Sequence, residues 1–273
     1  MNLKLNNKLT IFSVHHKALA VPECNYIQPI QVGKIFSNLE LGFISDDDGN
    51  NISAKNKTFS ELTAVYWIWK NLDKISSEFI GLCHYRRYFT LPQLRVKKKL
   101  WITKEIIDQR DIYNSPFSTE GFQLVCSESL ETELLKDLNS GNVIVPSATQ
   151  LLLEPGFTAS IKMHYIYHHI KEDWYLMRDT VIKFHPEMEQ NFDIFFDSET
   201  KMHCYNMFIS SKEVFGKYCS WLFPILFELE RKVKLSEYEY QQRILGFLSE
   251  RLFNLYLFHY NLQKAEYPLI FFN

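Results

Sequence analysis

The sequence has almost no net charge, and this absence argues against a large class of partners. Its 30 lysines and arginines stand against 32 aspartates and glutamates, so the formal charge is −2. A nucleic-acid-binding domain gains much of its affinity from an excess of basic residues that releases counterions from phosphates. We therefore expect no nucleic-acid partner. The one basic stretch, RVKKKLW at 95–101, has the composition to contact an anionic membrane surface peripherally or a polyanionic substrate, but a solvated loop is the simpler interpretation.

Paired cysteines and long apolar runs are also missing. The five cysteines include no CxxC pair, which favours reduced core thiols over disulfides or a metal cluster. No segment approaches the roughly 18 consecutive apolar residues of a membrane-spanning helix. The N-terminal MNLKLNNKLTIF also lacks the apolar core of a secretion signal. These absences predict a cytoplasmic protein, with the inner face of the membrane as its alternative position.

The motifs of several enzyme classes are absent as well. The chain has no GxSxG, no GKS or GKT and no HExxH. Serine hydrolase, P-loop and zinc protease chemistry therefore have no support in the sequence. The chain also lacks a linker rich in proline, glycine or serine, an internal repeat and a low-complexity segment. We therefore predict a single domain over residues 1–273.

Short apolar runs alternate with segments of helical periodicity. Strands are predicted at 8–16, 29–35, 78–88, 121–126, 142–146, 204–210 and 267–273, and helices at 58–71, 130–138, 157–196, 210–232 and 236–258. Three of these helices begin at pairs with capping-box spacing, namely Thr58 and Glu61, Ser210 and Glu213, and Ser236 and Glu239. Strands that are apolar on both faces and alternate with helices indicate an α/β fold. Its sheet should be mostly parallel, and its C-terminal half should be rich in helices.

The stretch EFIGLCHYRRYF at 78–89 begins as a buried strand and ends in two adjacent arginines. In sheets of this class, ligands bind at the carboxyl ends of the strands. A guanidinium presents a planar fork that suits phosphate or carboxylate, and the neighbouring histidine and tyrosines can stack on flat groups. Two interpretations stay open from these residues. Arg86 and Arg87 bind a diphosphate, or they form structural pairs with carboxylates.

Two clusters have the composition of metal sites. DDDG at 46–49 supplies three carboxylates, but the glutamate that completes an EF-hand loop is missing, so a solvated turn is the simpler interpretation. His164 and His168 have the i, i+4 spacing of a zinc pair, with His169 beside them. No third ligand is evident in the sequence, and a polar helix face is the simpler interpretation there.

The last predicted helix carries a polar stripe. Glu239, Arg243, Gly246 and Glu250 lie at i, i+4, i+7 and i+11 and therefore share one face. A glycine in this stripe costs about 1 kcal/mol against alanine, and it lets another group come close to the helix. We therefore favour a stripe that faces a cleft, with Glu250 as a general base and Arg243 as its charge partner. The alternative is an Arg–Glu pair on a solvated face.

Six stretches of the chain resemble one bacterial family. They are PIQVG at 29–33, DDDGNNISAKNKTFSELTAVYWIWKN at 46–71, EFIGLCHYRRYF at 78–89, NVIVP at 142–146, YNMFISSKEVFGKYCSWLFPILFELE at 205–230 and YQQRILGFLSERL at 240–252. In these stretches the chain is similar to the DUF4422-like glycosyltransferases of capsule, O-antigen and exopolysaccharide biosynthesis, which include galactosyl- and galactofuranosyltransferases. Asn142 departs from the pattern, because the family often has an aspartate there.

The resemblance implies a GT-A-like fold and the transfer of a hexose from a UDP-sugar to a saccharide acceptor. The hexose would be galactose in pyranose or furanose form, and the acceptor would be lipid-linked. Residues 1–150 would bind the nucleotide sugar, and residues 151–273 would form the acceptor side. Many GT-A enzymes hold the donor diphosphate through a metal bound to Asp-x-Asp at this strand end. Our hypothesis is that Arg86 or Arg87 neutralises the diphosphate directly, which leaves the need for Mn²⁺ or Mg²⁺ open.

The candidate site that follows from this resemblance has three groups of residues. The donor would contact His16, Lys17, Tyr26, His84, Tyr85, Arg86, Arg87 and Asn206. Asp47 and Asn51 would lie on the acceptor or sugar side. Glu250 would be the catalytic base, with Asp48 as the second choice and Arg243 as a further catalytic group. The alternative function is a non-catalytic nucleotide- or glycan-binding module of a polysaccharide assembly complex.

Overall fold

The protein is built around one large sheet. The computed structural model describes residues 8–92, 94–99, 103–108 and 112–273, and it describes only the backbone of 94–99 and 103–108. The side chains of the basic stretch 95–101 therefore lie outside the described residues. The described strands are β1 (Leu9–His15), β2 (Ile27–Gln31), β3 (Ile44–Ser45), β4 (Phe79–His84), β5 (Arg87–Phe89), β6 (Leu94–Lys99), β7 (Thr103–Asp108), β8 (Ile112–Ser115), β9 (Val143–Pro146), β10 (Thr149–Gln150), β11 (Leu152–Glu154), β12 (Phe157–Thr158), β13 (Lys201–Met202), β14 (Ile209–Ser211), β15 (Lys264–Tyr267) and β16 (Leu269–Phe272).

Helices connect these strands and cover both faces of the sheet. The described α-helices are α1 (Asn56–Phe59), α2 (Leu62–Lys70), α3 (Thr119–Val125), α4 (Glu128–Asn139), α5 (Ile161–His168), α6 (Lys171–Phe184), α7 (Glu189–Ser198), α8 (Lys212–Lys232) and α9 (Ile244–His259). Short 3₁₀ helices lie at Lys34–Phe36, Ser53–Lys55, Pro186–Met188 and Glu239–Arg243.

The main path of the sheet runs in the order β15, β9, β14, β4, β1, β2, β3. Neighbouring strands on this path are parallel except where β14 lies antiparallel between β4 and β9. Strands β5, β16 and β8 extend the sheet from the end of β4. The predicted α/β class with a mostly parallel sheet is therefore what the structure shows. The C-terminal half adds β14, β15 and β16 to this sheet besides its helices.

Alternate residues of the central strands face two separate apolar layers. In β4, Ile80 and Leu82 pack with the large layer that contains α2 and α5 to α9. Phe79 and Cys83 point the other way, toward the smaller layer that contains α4. This alternation follows from the period of two in a strand. Because both faces are covered, all seven residues of β1 are buried, including the polar Thr10, Ser13 and His15.

The stretch 78–89 forms a hairpin rather than one extended strand. β4 ends at His84, the chain turns at Tyr85 and Arg86, and β5 returns antiparallel with His84 opposite Arg87. The expectation that strand geometry persists through Tyr88 is therefore wrong. The two-residue turn lies at the carboxyl end of β4, where the neighbouring parallel strand β1 also ends.

Several predicted boundaries also differ from the structure. Residues 121–126, predicted as a strand, belong mainly to α3, since a six-residue apolar run does not distinguish a strand from a short helix. α8 is capped one residue later than predicted, because the Ser211 hydroxyl accepts from the Val214 amide at 3.3 Å. The third predicted helix start is instead a 3₁₀ turn, and α9 begins only at Ile244.

Candidate active site

A cleft of about 670 Å³ opens where β1 and β4 end. One wall, the sheet wall, contains His16, His84, Tyr85, Arg86 and Arg87. The facing wall, the helical wall, contains His164, His169, Tyr240, Arg243, Phe247, Glu250 and Arg251. Between them lie Asn56, Lys57, Ser60 and Glu61, which come from α1 and the turn after it. The cleft is therefore where ligands bind in α/β sheets, at the carboxyl ends of parallel strands.

The hairpin turn presents two guanidinium groups to the cleft. The guanidinium carbon of Arg86 lies 5.1 Å from the centroid of the Tyr85 ring. That of Arg87 lies 4.6 Å from the Tyr205 ring, and both groups are within 5.3 Å of the Phe271 ring. Among the residues that the structure describes, neither side chain forms a hydrogen bond or ion pair with a carboxylate. The described residues therefore give no support to the interpretation of Arg86 and Arg87 as structural partners of carboxylates. Both positive charges are available to bind an anion.

A strained turn joins the two walls. Tyr205 and Asn206 have φ angles of 77° and 50°, which are uncommon for residues other than glycine and mark positions held by their surroundings. The Tyr205 carbonyl oxygen accepts from Nε2 of His84 at 2.6 Å, and its amide donates to Oε1 of Glu250 at 2.7 Å. Most of the predicted strand 204–210 is therefore irregular, and β14 begins only at Ile209.

The contact with Tyr205 also fixes the protonation pattern of His84. A carbonyl oxygen only accepts, so Nε2 of His84 carries the proton and Nδ1 presents a lone pair. Burial lowers the pKa of His84, although the Glu61 carboxylate opposes the shift. The ring is therefore neutral at pH 7, and its free nitrogen is a hydrogen-bond acceptor.

Glu250 lies at the junction of the helical wall and the strained turn. Besides the Tyr205 amide, its carboxylate accepts from Nη1 of Arg251 at 3.1 Å, and its side chain is 19% exposed. Burial raises the pKa of Glu250, while the Arg251 charge opposes that shift. A carboxylate with raised proton affinity and access to a cleft is suited to take a proton from a substrate hydroxyl. The cleft-facing orientation predicted for Arg243 and Glu250 is the one observed, whereas Glu239 does not line the cleft.

A second carboxylate, Glu61, was not predicted as a site residue. It lines the cleft, accepts from Nδ2 of Asn206 at 2.6 Å and lies 3.7 Å from Nη2 of Arg243. Arg243 also donates through Nε to the Ser60 hydroxyl at 3.0 Å. Glu61 was not predicted as a site residue because the capping-box pattern with Thr58 already gave it a structural role at a helix start. Thr58 in fact lies in α1, and α2 begins without a side-chain cap.

Three residues predicted to contact the donor lie elsewhere. Tyr26 is buried in the smaller apolar layer, where its hydroxyl donates to the Val125 carbonyl at 2.8 Å, so it does not reach the cleft. Asn206 is buried and holds Glu61 instead of facing the cleft. Lys17 does not line the cleft, but its ammonium lies 5.3 Å from the Tyr85 ring centroid. The prediction for Tyr26 is therefore wrong, and Asn206 is a positioning residue.

The polar groups of the DDDG loop are already bound to other groups of the protein. Buried Asp46 accepts from the amide of Gly33 at 2.9 Å and from the Ser53 hydroxyl at 2.6 Å. Asp48 accepts from the Trp67 indole at 2.5 Å, and Asn51 donates to the backbone of the loop, including the Asp47 carbonyl at 2.9 Å.

Asn51 holds the backbone of the loop, as expected of asparagine in turns, whereas Asp46 and Asp48 tie the loop to Gly33 and Trp67. Asp47, Asp48 and Asn51 do not line the cleft. The structure therefore contradicts their predicted positions as a second base and as acceptor contacts.

His164 in α5 and His169 at the C-cap of that helix line the helical wall as neutral rings. Burial lowers the pKa of His164 and of His169 to about 4. The ring centroids of His164 and His168 are 4.5 Å apart. Within residues 8–92 and 112–273, however, no group of three His, Cys, Asp or Glu side chains is placed to hold a metal ion. The zinc-pair interpretation therefore gains no third ligand from the described residues.

Three comparisons with known proteins bear on this site. Residues 10–261 match the model of a domain of unknown function, DUF4422. The apo structure of WbbM, a bifunctional glycosyltransferase, matches with a TM-score of 0.83 and 28% identity over 98% of this chain. The match spans 46% of the WbbM chain, so this protein corresponds to about half of that structure. No curated protein matches the sequence.

The comparisons confirm the resemblance and the α/β, GT-A-like fold class that the sequence predicted. Within the described part of the chain, no helix is both long and apolar enough to span a bilayer.

Proposed function

The chain belongs to the DUF4422 family, and on that premise we propose that it is a glycosyltransferase. It moves a hexose from a nucleotide-activated sugar to a saccharide acceptor. The observation that carries this proposal is the pair of guanidinium groups at the end of β4, which lack a carboxylate partner among the described residues and share a cleft with Glu250. WbbM, whose structure is similar over nearly the whole of this chain, is a bifunctional glycosyltransferase.

In this proposal, the donor is a UDP-sugar whose diphosphate binds to Arg86 and Arg87. Bidentate contacts between guanidinium and phosphate oxygens are strong and directional. His16 and Tyr85 pack edge to face at 4.9 Å beside the turn, and such rings suit a flat base. The chain has no Asp-x-Asp at this strand end, so fixed positive charge takes the place of a bound metal ion in the proposal.

The transfer step uses Glu250 as the base for an inverting reaction. Its carboxylate removes the proton from an acceptor hydroxyl, and the oxygen attacks the anomeric carbon of the donor sugar. The bond from that carbon to the diphosphate oxygen breaks, and UDP leaves with the electron pair. Arg86 and Arg87 stabilise the charge that develops on the leaving diphosphate. The Tyr205 amide and Arg251 hold Glu250 in place throughout.

The family resemblance supports a narrower form of the proposal. The hexose is galactose in pyranose or furanose form, and the acceptor is a lipid-linked saccharide of capsule, O-antigen or exopolysaccharide synthesis. The reaction then takes place in the cytoplasm at the inner face of the membrane. These details rest on family membership and not on a residue of the cleft.

The direct test is release of UDP from a panel of UDP-sugars, with and without saccharide acceptors. The panel is run with Mn²⁺, with Mg²⁺ and with EDTA, and products are identified by NMR. We expect turnover of one UDP-hexose, and slow hydrolysis of that donor alone also supports an enzyme. Binding of UDP without release under every condition would instead identify a non-catalytic module.

The role of the hairpin is tested by Arg86→Ala. We expect kcat/KM for the donor to fall by roughly 100-fold, because a preorganised donor to the developing charge is lost. Arg86→Lys keeps the charge but loses the fork, so an intermediate loss is expected. Arg231→Ala is the control, since Arg231 is 75% exposed and outside the cleft. Near-normal turnover of Arg86→Ala in EDTA would show that Arg86 does not stabilise the leaving diphosphate.

A further inference from the structure

Three rings pack against one another on the helical wall, in a cluster that we call the aromatic shelf. It consists of His169 at the end of α5, Tyr240 in the 3₁₀ turn and Phe247 in α9. The ring of Phe247 lies 4.4 Å from that of His169 and 5.1 Å from that of Tyr240, with interplanar angles of 33° and 44°. All three rings line the cleft. The shelf is therefore an aromatic surface inside the polar site.

The shelf lies at the edge of the apolar core, against which Phe247 packs. Tyr240 is 61% exposed, and His169 and Phe247 are half-buried. An exposed tyrosine alone needs no explanation, but three adjoining rings that face a cleft are typical of a ligand surface. Flat apolar rings with a few polar groups nearby suit a ligand that has one apolar face and a polar rim.

A pyranose ring has this character, with C–H groups on its face and hydroxyls around its edge. The shelf offers polar partners for such hydroxyls. Nδ1 of His169 donates to Oε1 of Gln241 at 3.1 Å, so Nε2 of the neutral ring is a free acceptor. Arg243, whose side chain is half exposed, provides donors in the same cleft.

The position of the shelf distinguishes between the two substrates. Phe247 and Glu250 are three residues apart in α9 and therefore face the same side of the helix. A sugar on the shelf would lie next to the carboxylate proposed as the base, where the attacking hydroxyl must be. The flat base of the donor has its own rings, His16 and Tyr85, on the sheet wall beside the arginines.

From this arrangement we propose that the aromatic shelf is the acceptor subsite and that it binds a pyranose ring by stacking. The proposal rests on the proposed function, because it names the second substrate of the same cleft. Tyr240 contributes the exposed ring face for stacking, Phe247 packs against that ring and holds it, and His169 accepts a hydrogen bond from a hydroxyl of the acceptor.

The test compares Tyr240→Ala with Tyr238→Ala. Tyr238 is two residues away, 79% exposed and outside the cleft, so it controls for loss of a surface tyrosine. Binding of the methyl pyranosides of galactose, glucose and N-acetylglucosamine is measured by saturation-transfer NMR in the presence of UDP. We expect at least one glycoside to bind to the wild type and to Tyr238→Ala, with about tenfold weaker binding to Tyr240→Ala. The affinity for UDP should be the same in all three proteins.

A second variant separates ring stacking from apolar packing. Phe247→Leu keeps an apolar side chain of similar volume but loses the flat ring, so glycoside binding should weaken while the thermal unfolding midpoint changes little. If glycoside binding is equal in wild type, Tyr240→Ala and Phe247→Leu, or absent from the wild type, the shelf is not the acceptor subsite.

Weaker UDP binding with unchanged glycoside binding in Tyr240→Ala would assign the shelf to the nucleoside and overturn the proposal. The outcome is separable from that of the proposed function. UDP release by the wild type without any effect of the shelf variants rejects the subsite and keeps the enzyme. Glycoside binding that depends on the shelf, without UDP release from any donor, keeps the subsite and rejects the enzyme.

Discussion

The arginines on the two walls of the cleft differ in whether the protein gives them a carboxylate partner. On the sheet wall, Arg86 and Arg87 lie against aromatic rings and have no carboxylate partner in the part of the chain that the structure describes. On the helical wall, Arg251 donates to Glu250, and Arg243 contacts Ser60 and lies within ion-pair distance of Glu61. The first pair of cations is available to a ligand, whereas the second pair is engaged by the protein.

The physical basis of this difference is the kind of partner. A ring face holds a guanidinium in place without neutralising it, because the attraction comes from the quadrupole of the ring. A carboxylate neutralises the cation and is itself fixed by it. The sheet wall is therefore suited to bind an anion, and the helical wall is suited to orient two carboxylates.

The largest effect is expected from Glu250→Gln. If Glu250 is the base, turnover should fall by about 10³-fold with UDP affinity unchanged, since loss of a general base costs about 10²- to 10⁴-fold. The base acts only when ionised, and burial raises its pKa, so wild-type activity should be lost as the pH falls through a value above that of an ordinary glutamate. The measurement is the pH dependence of kcat, and Glu239→Gln is the control on the exposed 3₁₀ turn.

Wild-type activity that stays flat at acid pH, or full activity in Glu250→Gln, would exclude Glu250 as the base.

Arg251→Ala tests whether the helical wall uses its cation structurally. Arg251 is 3% exposed, and removing one partner of a buried ion pair leaves the other charge uncompensated at a cost of about 3 kcal/mol. We expect the free energy of unfolding to fall by about this amount in urea titrations. Arg86→Ala on the sheet wall should change the same quantity by less than about 0.5 kcal/mol. Equal losses in the two variants would erase the distinction between the walls.

Buried histidines in β1 and on the helical wall contribute a pH dependence to the stability. Burial lowers the pKa of His15 to about 4, and of His164 and His169 likewise. Below about pH 6.5 these groups are protonated in the unfolded chain but still neutral in the folded one. The stabilisation is therefore complete above that pH and is lost as the pH falls toward 4.

For fully buried His15, the expected loss between about pH 7 and about pH 5 is about 2 kcal/mol. The two partly exposed histidines should contribute less. Unfolding in urea at both pH values measures the loss, and His15→Gln should reduce it. A stability that rises on acidification would contradict the assignment.

The smallest effect is expected from Gly246→Ala. The sequence predicts that a glycine here lets another group come close to the helix, and Ser60 is the group that approaches. A methyl at position 246 would lie 3.6 Å from the Ser60 hydroxyl, which is ordinary contact, so that prediction is wrong. We expect the substitution to raise the free energy of unfolding by up to about 1 kcal/mol and to preserve activity. A large loss of stability in urea titrations would show that this contact between α9 and the turn at Ser60 is tighter than observed.

Much of the fold follows from local patterns. The apolar runs of β1, β4 and β9 and the amphipathic α4 and α8 lie where the sequence predicts them. Such elements are long or strongly periodic, so burial of one face determines them. The short run at 121–126 was predicted as a strand but belongs mainly to α3, because six residues are too few to distinguish the period of a strand from that of a helix.

The candidate site was predicted in part. The hairpin residues, His16, Arg243 and Glu250 were identified and line the cleft. Tyr26 and Asp48 were included wrongly, since the sequence does not show that a hydroxyl or carboxylate is already occupied by Val125 or Trp67. Glu61 was missed because its partners Asn206 and Arg243 are distant in the chain. The aromatic shelf was missed because His169 meets Phe247 only in the tertiary structure.

The sequence by itself determined the alternation of strands and helices, the arginine pair at a strand end and the polar stripe of the last helix. Those features depend on residue order within one element, where period and composition are sufficient. Only the tertiary structure decided which charges have partners, because Tyr205 meets both Glu250 and His84 through contacts 45 and 121 residues apart. Burial and long-range hydrogen bonds determine the pKa values of the cleft residues and which of their polar groups remain available to a ligand. Local sequence patterns do not encode burial or long-range hydrogen bonds.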